Sequence, residues 1–167
     1  MAESVKIVID GQEFEFPVIE GSENEKAIDI SSLRAKTGYI TIDEGFKNTG
    51  STTSDITFLD GEEGILRYRG YSIEDLADKA DFLEVAYLLI YGELPTAAQY
   101  DVFVTKITKH TMVNEDMRKI FDGFPVNAHP MGIMSALASA MSGFYPDSFD
   151  DKRPDNTELH IIRLLAK

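Results

Sequence analysis

Between Asp60 and Ala77 the stretch "DGEEGILRYRGYSIEDLA" changes the period of the apolar residues, and this limits the fold more than any other feature. Upstream, the apolar positions alternate. "VKIVID" places Val5, Ile7 and Ile9 on one face, Asp10-Gly11 is a favoured hairpin dipeptide, and Phe14, Phe16 and Val18 alternate again. "AIDIS", "GYITID", "DITFLD" and "GILRYR" follow as short β-branched or aromatic runs between turn residues, and each is expected to be a strand. Downstream, the spacing becomes three and four, the period of a helix. Gly61 and Gly64 bracket a turn between strands, and Gly70 lets the chain turn tightly into a helix. The stretch lacks the Gly-Lys-Ser/Thr of a phosphate loop and the alternating acids of a calcium loop, so it reads as a joint between a sheet and a set of helices.

The helical part is punctuated by caps. Ser72 with Asp75 opens one helix, and Asp81 with Glu84 opens "FLEVAYLLIY", apolar nearly all round and expected to be buried. Gly92 and Pro95 stop it. Thr96 with Gln99 opens a third helix with an apolar face of Tyr100, Phe103, Val104 and Ile107. "NEDMRKIFDGF" gives a fourth, Pro130 begins a fifth that runs to Tyr145, and Asn156 is expected to cap "TELHIIRLLAK". The fold class is therefore mainly α, with a small β module over residues 1–65 and a helical region over 66–167. The β module has too few short strands to stand without something to pack on. The last helix reaches Lys167 with no stop signal, which is read as a cut from a longer protein.

Composition narrows the function. With 29 acidic residues against 16 basic ones, the net charge is −13, which opposes non-specific nucleic-acid binding. No apolar run is long enough to span a bilayer, and "MAESVKIVID" matches neither a secretory signal nor a transit peptide. The absence of cysteine removes disulfides, thiolate zinc sites and a cysteine nucleophile, and fits a cytoplasmic protein. His110, His129 and His160 share no zinc spacing, and no residue pattern marks a catalytic centre.

Two local features remain. "KITKHTM" puts Lys106, Lys109, His110 and Thr111 at a helix end, where cations suit the dipole, and Arg163 and Lys167 share one face of the last helix. These bases are either an anion pocket or a solvated surface. In "PMGIMSALASAMSGFY", Gly132, Ala136 and Ala140 form a stripe of small residues, suited to close helix packing either inside the subunit or across a subunit interface.

Taken in order, "ITFLDGEEGILRYRGYSIEDLA", "FLEVAYLLIYGELPT", "HTM" and "HPMGIMSALASA" resemble citrate synthase, and in particular the bacterial type II enzymes with an N-terminal β module. The resemblance implies a mainly helical two-domain enzyme that condenses oxaloacetate with acetyl-CoA to citrate and CoA in the tricarboxylic acid cycle. Two histidines would polarise the carbonyls and an aspartate would take a methyl proton, without metal or cofactor. None of His110, His129 and His160 matches a catalytic position, so this chain is expected to be an inactive N-terminal part.

The resemblance also implies an allosteric NADH site over Lys109, His110, Thr111, Tyr145, Arg163 and Lys167. Lys109 stands where the family's best NADH binders carry arginine, which keeps the charge but loses the planar fork. A homodimer or homohexamer is implied, with the Pro130–Tyr145 helix at the dimer interface. Two alternatives stand beside this reading: a free-standing helical binding or regulatory domain derived from citrate synthase, and part of a 2-methylcitrate synthase.

Overall fold

The computed structural model describes residues 3–146 and 154–167. They fall into two compact units, 1–54 and 55–167. Residue 65, where the sequence reading places the change of regime, is the first residue of a strand inside the second unit.

The first unit is an antiparallel sheet, β1 (Ser4–Ile9), β2 (Gln12–Glu20) and β3 (Lys26–Ile28), with β2 in the centre. Asp10 and Gly11 both have positive φ, 52° and 78°, the type I′ geometry that matches strand twist. The expected alternation holds: Phe14, Phe16 and Val18 face inward, and Phe16 is fully buried. The sequence reading did not anticipate α1 (Leu33–Thr37), five residues closed by Gly38. It brings Leu33 into burial and sets the Lys36 ammonium 5.0 Å from the Phe16 ring centroid. The expected strand "GYITID" does not form. Residues 39–43 pair with no strand, and Ile40 and Ile42 are 66% and 87% exposed. Alternation supplies a face but not a partner, and a strand needs both.

The second unit opens with the joint. β4 (Thr57–Asp60), β5 (Ile65–Tyr68) and β6 (Tyr71–Ser72) form an antiparallel sheet. The Asp60 carboxylate accepts from the backbone N–H groups of Glu62 and Glu63 at 3.0 and 3.0 Å, closing the β4–β5 turn. Arg69 and Gly70, with φ of 50° and 88°, make the two-residue turn into β6. From that turn the Arg69 guanidinium donates to the carbonyl of Leu89 at 3.2 Å, near the C-terminal end of the second helix that follows. A cation there meets carbonyls that lack intrahelical partners.

The helices are α2 (Ile73–Lys79), α3 (Phe82–Tyr91), α4 (Ala97–Lys109), α5 (Met117–Asp122), α6 (Pro130–Phe144) and α7 (Pro154–Ala166). The caps of α2, α3 and α4 fall where the sequence places them. Ser72 accepts from the Asp75 N–H, and Asp81 with Glu84 and Thr96 with Gln99 form complete capping boxes. Asn156 does not cap α7, which already begins at Pro154, so Asn156 lies in its first turn. The core joins Tyr87, Phe103, Ile107 and Ile162 from α3, α4 and α7, with Leu83, Ile90 and Leu165 packed against it. Each fully buried apolar side chain there contributes about 1.5–3 kcal/mol. α3 is covered along its length, as its composition suggests: Tyr87 and Leu88 are buried, the other residues from Leu83 to Ile90 are partly so, and only Phe82 and Tyr91 at its two ends are exposed, Phe82 at 72%.

Candidate functional site

The C-terminal end of α4 must satisfy carbonyls that have no partner further along the helix. The backbone N–H of His110 donates to the Ile107 carbonyl at 3.0 Å, and its ring Nδ1 lies 2.7 Å from the Lys106 carbonyl. A carbonyl only accepts, so Nδ1 carries the proton. The Thr111 hydroxyl donates to the Thr108 carbonyl at 3.1 Å. Lys167, from the end of α7, donates through Nζ to the carbonyl of His110 at 2.6 Å and also to that of Met112.

α7 brings a second cation to the same place. Arg163 and Lys167 lie four residues apart, and both cover the Tyr145 ring, the guanidinium carbon at 4.7 Å from its centroid and the ammonium at 5.2 Å. Ring faces are electron-rich, and this pairing holds cations that would otherwise repel each other. Beside them is a cleft of about 220 Å³ between α6 and α7, lined by Ala138, Met141, Ser142, Tyr145, His160, Arg163 and Leu164.

Of the six residues singled out in the sequence, the structure joins His110, Tyr145, Arg163 and Lys167 through these contacts. Lys109 is exposed on the last turn of α4, and the Thr111 hydroxyl is engaged with its own helix end. The sequence reading missed the rest of the cleft, including His160, Met141 and Ser142. Nothing in their local pattern marks them, because two separate helices bring them together.

Glu158 was also missed. Its Oε1 accepts from the Tyr91 hydroxyl at 2.7 Å and from Lys106 Nζ at 2.6 Å. The bonds to Lys106 and then Tyr91 hold its carboxyl below the usual range. Burial, followed by the bond to Glu158, pushes the Tyr91 hydroxyl up. This set fastens the N-terminal half of α7 to α3 and α4, which fixes where Arg163 can reach.

Two of the histidines take local roles. His129 caps α6, its Nδ1 accepting from the Met131 N–H at 3.2 Å, and His110 closes α4. Among the described residues no group of three or more His, Cys, Asp or Glu could hold a metal ion, and no helix is long and apolar enough to cross a membrane. The small-residue stripe of α6 is open at Gly132, while Ala136 and Ala140 are partly buried. A β-carbon at Gly132 would meet nothing within 4 Å, no residue of α6 is buried, and Met131 and Met134 are 62% and 63% exposed.

A family model, "Citrate synthase, C-terminal domain", matches residues 45–167. Citrate synthase 1 of Mycobacterium tuberculosis is 48% identical over 157 residues, which is 94% of this chain and 36% of that protein. The chain thus spans about a third of the length of the curated relatives it matches. Among solved structures, citrate synthase of Thermotoga maritima aligns with a TM-score of 0.60 at 28% identity, over 75% of this chain and 32% of that one. The enzyme of Thermoplasma acidophilum, solved as a ternary complex with carboxymethyl coenzyme A and oxaloacetate, gives 0.63 at 25%, over 74% and 33%. Citrate synthase of Pyrobaculum aerophilum, at 24% identity, shares the fold over 99% of this chain and 38% of its own, with a TM-score of 0.64.

Proposed function

The chain belongs to the citrate synthase family, and from that premise we propose that it is the N-terminal part of an enzyme that condenses oxaloacetate with acetyl-CoA to citrate and free CoA. The observation that carries this reading is the family match over residues 45–167. The methyl group of an acetyl thioester is a weak acid. The enzyme must therefore set a base of matched pKa against it and stabilise the enolate that develops. In this chain Nδ1 of His110 and Nδ1 of His129 are engaged at helix ends, which supports a scaffolding role for both rings.

The cluster at the ends of α4 and α7 is a regulatory anion site in this proposal, and NADH is its ligand. Arg163 beside an open cleft supplies a planar donor set for a phosphate, and Tyr145 supplies a ring. The α6 face with its open Gly132 meets a second copy of the chain, giving a homodimer or a larger assembly of dimers. The acidic balance and lack of cysteine support a cytoplasmic enzyme without nucleic-acid partners.

Thiol release from acetyl-CoA, with and without oxaloacetate, tests the activity on both the protein its gene encodes and the 167-residue chain. The encoded protein is expected to turn over and the 167-residue chain is not. No oxaloacetate-dependent release from the encoded protein overturns the reading. Faster release with propionyl-CoA would assign it to the 2-methylcitrate reaction.

A further inference from the structure

We propose that a second cleft, between α3, α4 and the N-terminal half of α7, binds a flat, uncharged aromatic molecule of one or two fused rings that carries a carbonyl group. Its volume is about 380 Å³, within the range of about 300–1,000 Å³ usual for small-molecule sites. It shares no lining residue with the cleft between α6 and α7.

Helical spacing builds the apolar part. Tyr87 and Tyr91 are four residues apart on α3, and Gln99, Val102, Phe103 and Lys106 form one stripe of α4. Tyr87 and Phe103 belong to the core, which fixes the floor of the cleft, with their ring centroids 5.4 Å apart at 89°. Tyr91 and Val102 stay 41% and 56% exposed and leave apolar surface at the mouth. A flat ring covers such surfaces by edge or offset contact.

The rim decides the polar part of the ligand. Glu158 accepts from Tyr91 and from Lys106 through the same oxygen, and the charges of Lys106 and Glu158 cancel, so the rim favours neither an anion nor a cation. The side-chain oxygen of Gln99 accepts from the backbone N–H and the hydroxyl of Thr96 at 2.8 and 2.7 Å, in the box that caps α4. An amide also carries two N–H donors, and those of Gln99 meet no protein acceptor among the described residues. A ligand carbonyl is the group that matches them.

Coumarin, two fused rings with a lactone carbonyl, is the probe, titrated into the encoded protein by ligand-observed NMR. It should bind, and naphthalene, which has two rings and no carbonyl, should bind about tenfold more weakly. Val102→Trp, at an exposed position, should fill the mouth and abolish binding of both. Gln99→Glu keeps the oxygen that caps α4 and removes the amide donors, so it should bring coumarin to the level of naphthalene without lowering the unfolding temperature. No coumarin binding by the encoded protein overturns the proposal, as does binding that survives Val102→Trp. A preference for coumarin that is unchanged in Gln99→Glu overturns the carbonyl assignment. Tighter binding of coumarin-3-carboxylate than of coumarin at low salt makes the cleft an anion site and also overturns the proposal.

Discussion

The Tyr91 hydroxyl donates to Glu158 Oε1 at 2.7 Å across 67 positions of sequence, joining the end of α3 to the middle of α7. Lys106 reaches the same oxygen at 2.6 Å, so one carboxylate gathers three helices. The Tyr87, Phe103 and Ile162 core lies on those same helices.

Glu158→Gln should therefore destabilise the second unit. The pair of Lys106 and Glu158 is 45% and 40% exposed, so the loss stays near about 0.5–1.5 kcal/mol in urea unfolding at neutral pH. The sign with pH follows from the depressed carboxyl of Glu158. Its stabilisation is present above the unfolded value, about pH 4.3–4.5, and is lost as pH falls through the lower folded value. The substituted protein should show a shallower acid limb than the parent. Identical acid limbs would mean that this carboxylate does not couple to folding.

A second tyrosine–carboxylate bond predicts an alkaline signature. The Tyr100 hydroxyl donates to Asp81, which pushes the tyrosine up to about 12 and holds Asp81 below its usual range. The contribution of Tyr100 is fully present below the unfolded value near about 10 and disappears as pH rises towards about 12. Phenolate absorbance should show late titration by both Tyr91 and Tyr100, and Tyr100→Phe should reduce its amplitude by one tyrosine. An unchanged late amplitude in that variant would assign it wholly elsewhere.

For the regulatory reading, NADH should inhibit the encoded enzyme, and added salt should relieve the inhibition because exposed charges are screened over about 8–10 Å. Arg163→Leu should abolish inhibition, and Lys109→Arg should strengthen it by supplying a planar fork on the exposed last turn of α4. Steady-state rates at low ionic strength decide this. A lack of inhibition in the parent protein reduces the cluster to a helix-end device.

Gly132→Ala separates subunit stability from assembly. No atom within 4 Å meets the added β-carbon, so within the subunit it should stabilise α6 by up to about 1 kcal/mol through helix propensity. Across a close helix–helix contact the same methyl group should weaken association. Sedimentation and thermal unfolding together should show a more stable subunit and a weaker assembly. Unchanged sedimentation would remove this face from the interface.

The sequence by itself determined the local elements of this protein. Caps such as Asp81 with Glu84, the Asp10-Gly11 hairpin and the Arg69-Gly70 turn act over four residues or fewer, so their chemistry is visible in a short window. The change of period near residue 60 determined the order of sheet and helices for the same reason, and the motifs were enough to indicate the family. Only the tertiary structure decided that "GYITID" stays unpaired and that a five-residue helix forms over residues 33–37. It alone showed that Glu158 joins α3 and α4 to α7, and that Lys167 closes the end of α4. Each of these depends on which segments meet in space. A strand without a neighbour is only an alternating pattern. The bonds of Lys167 to the carbonyls of His110 and Met112, 57 and 55 residues away, likewise appear in no short window of sequence.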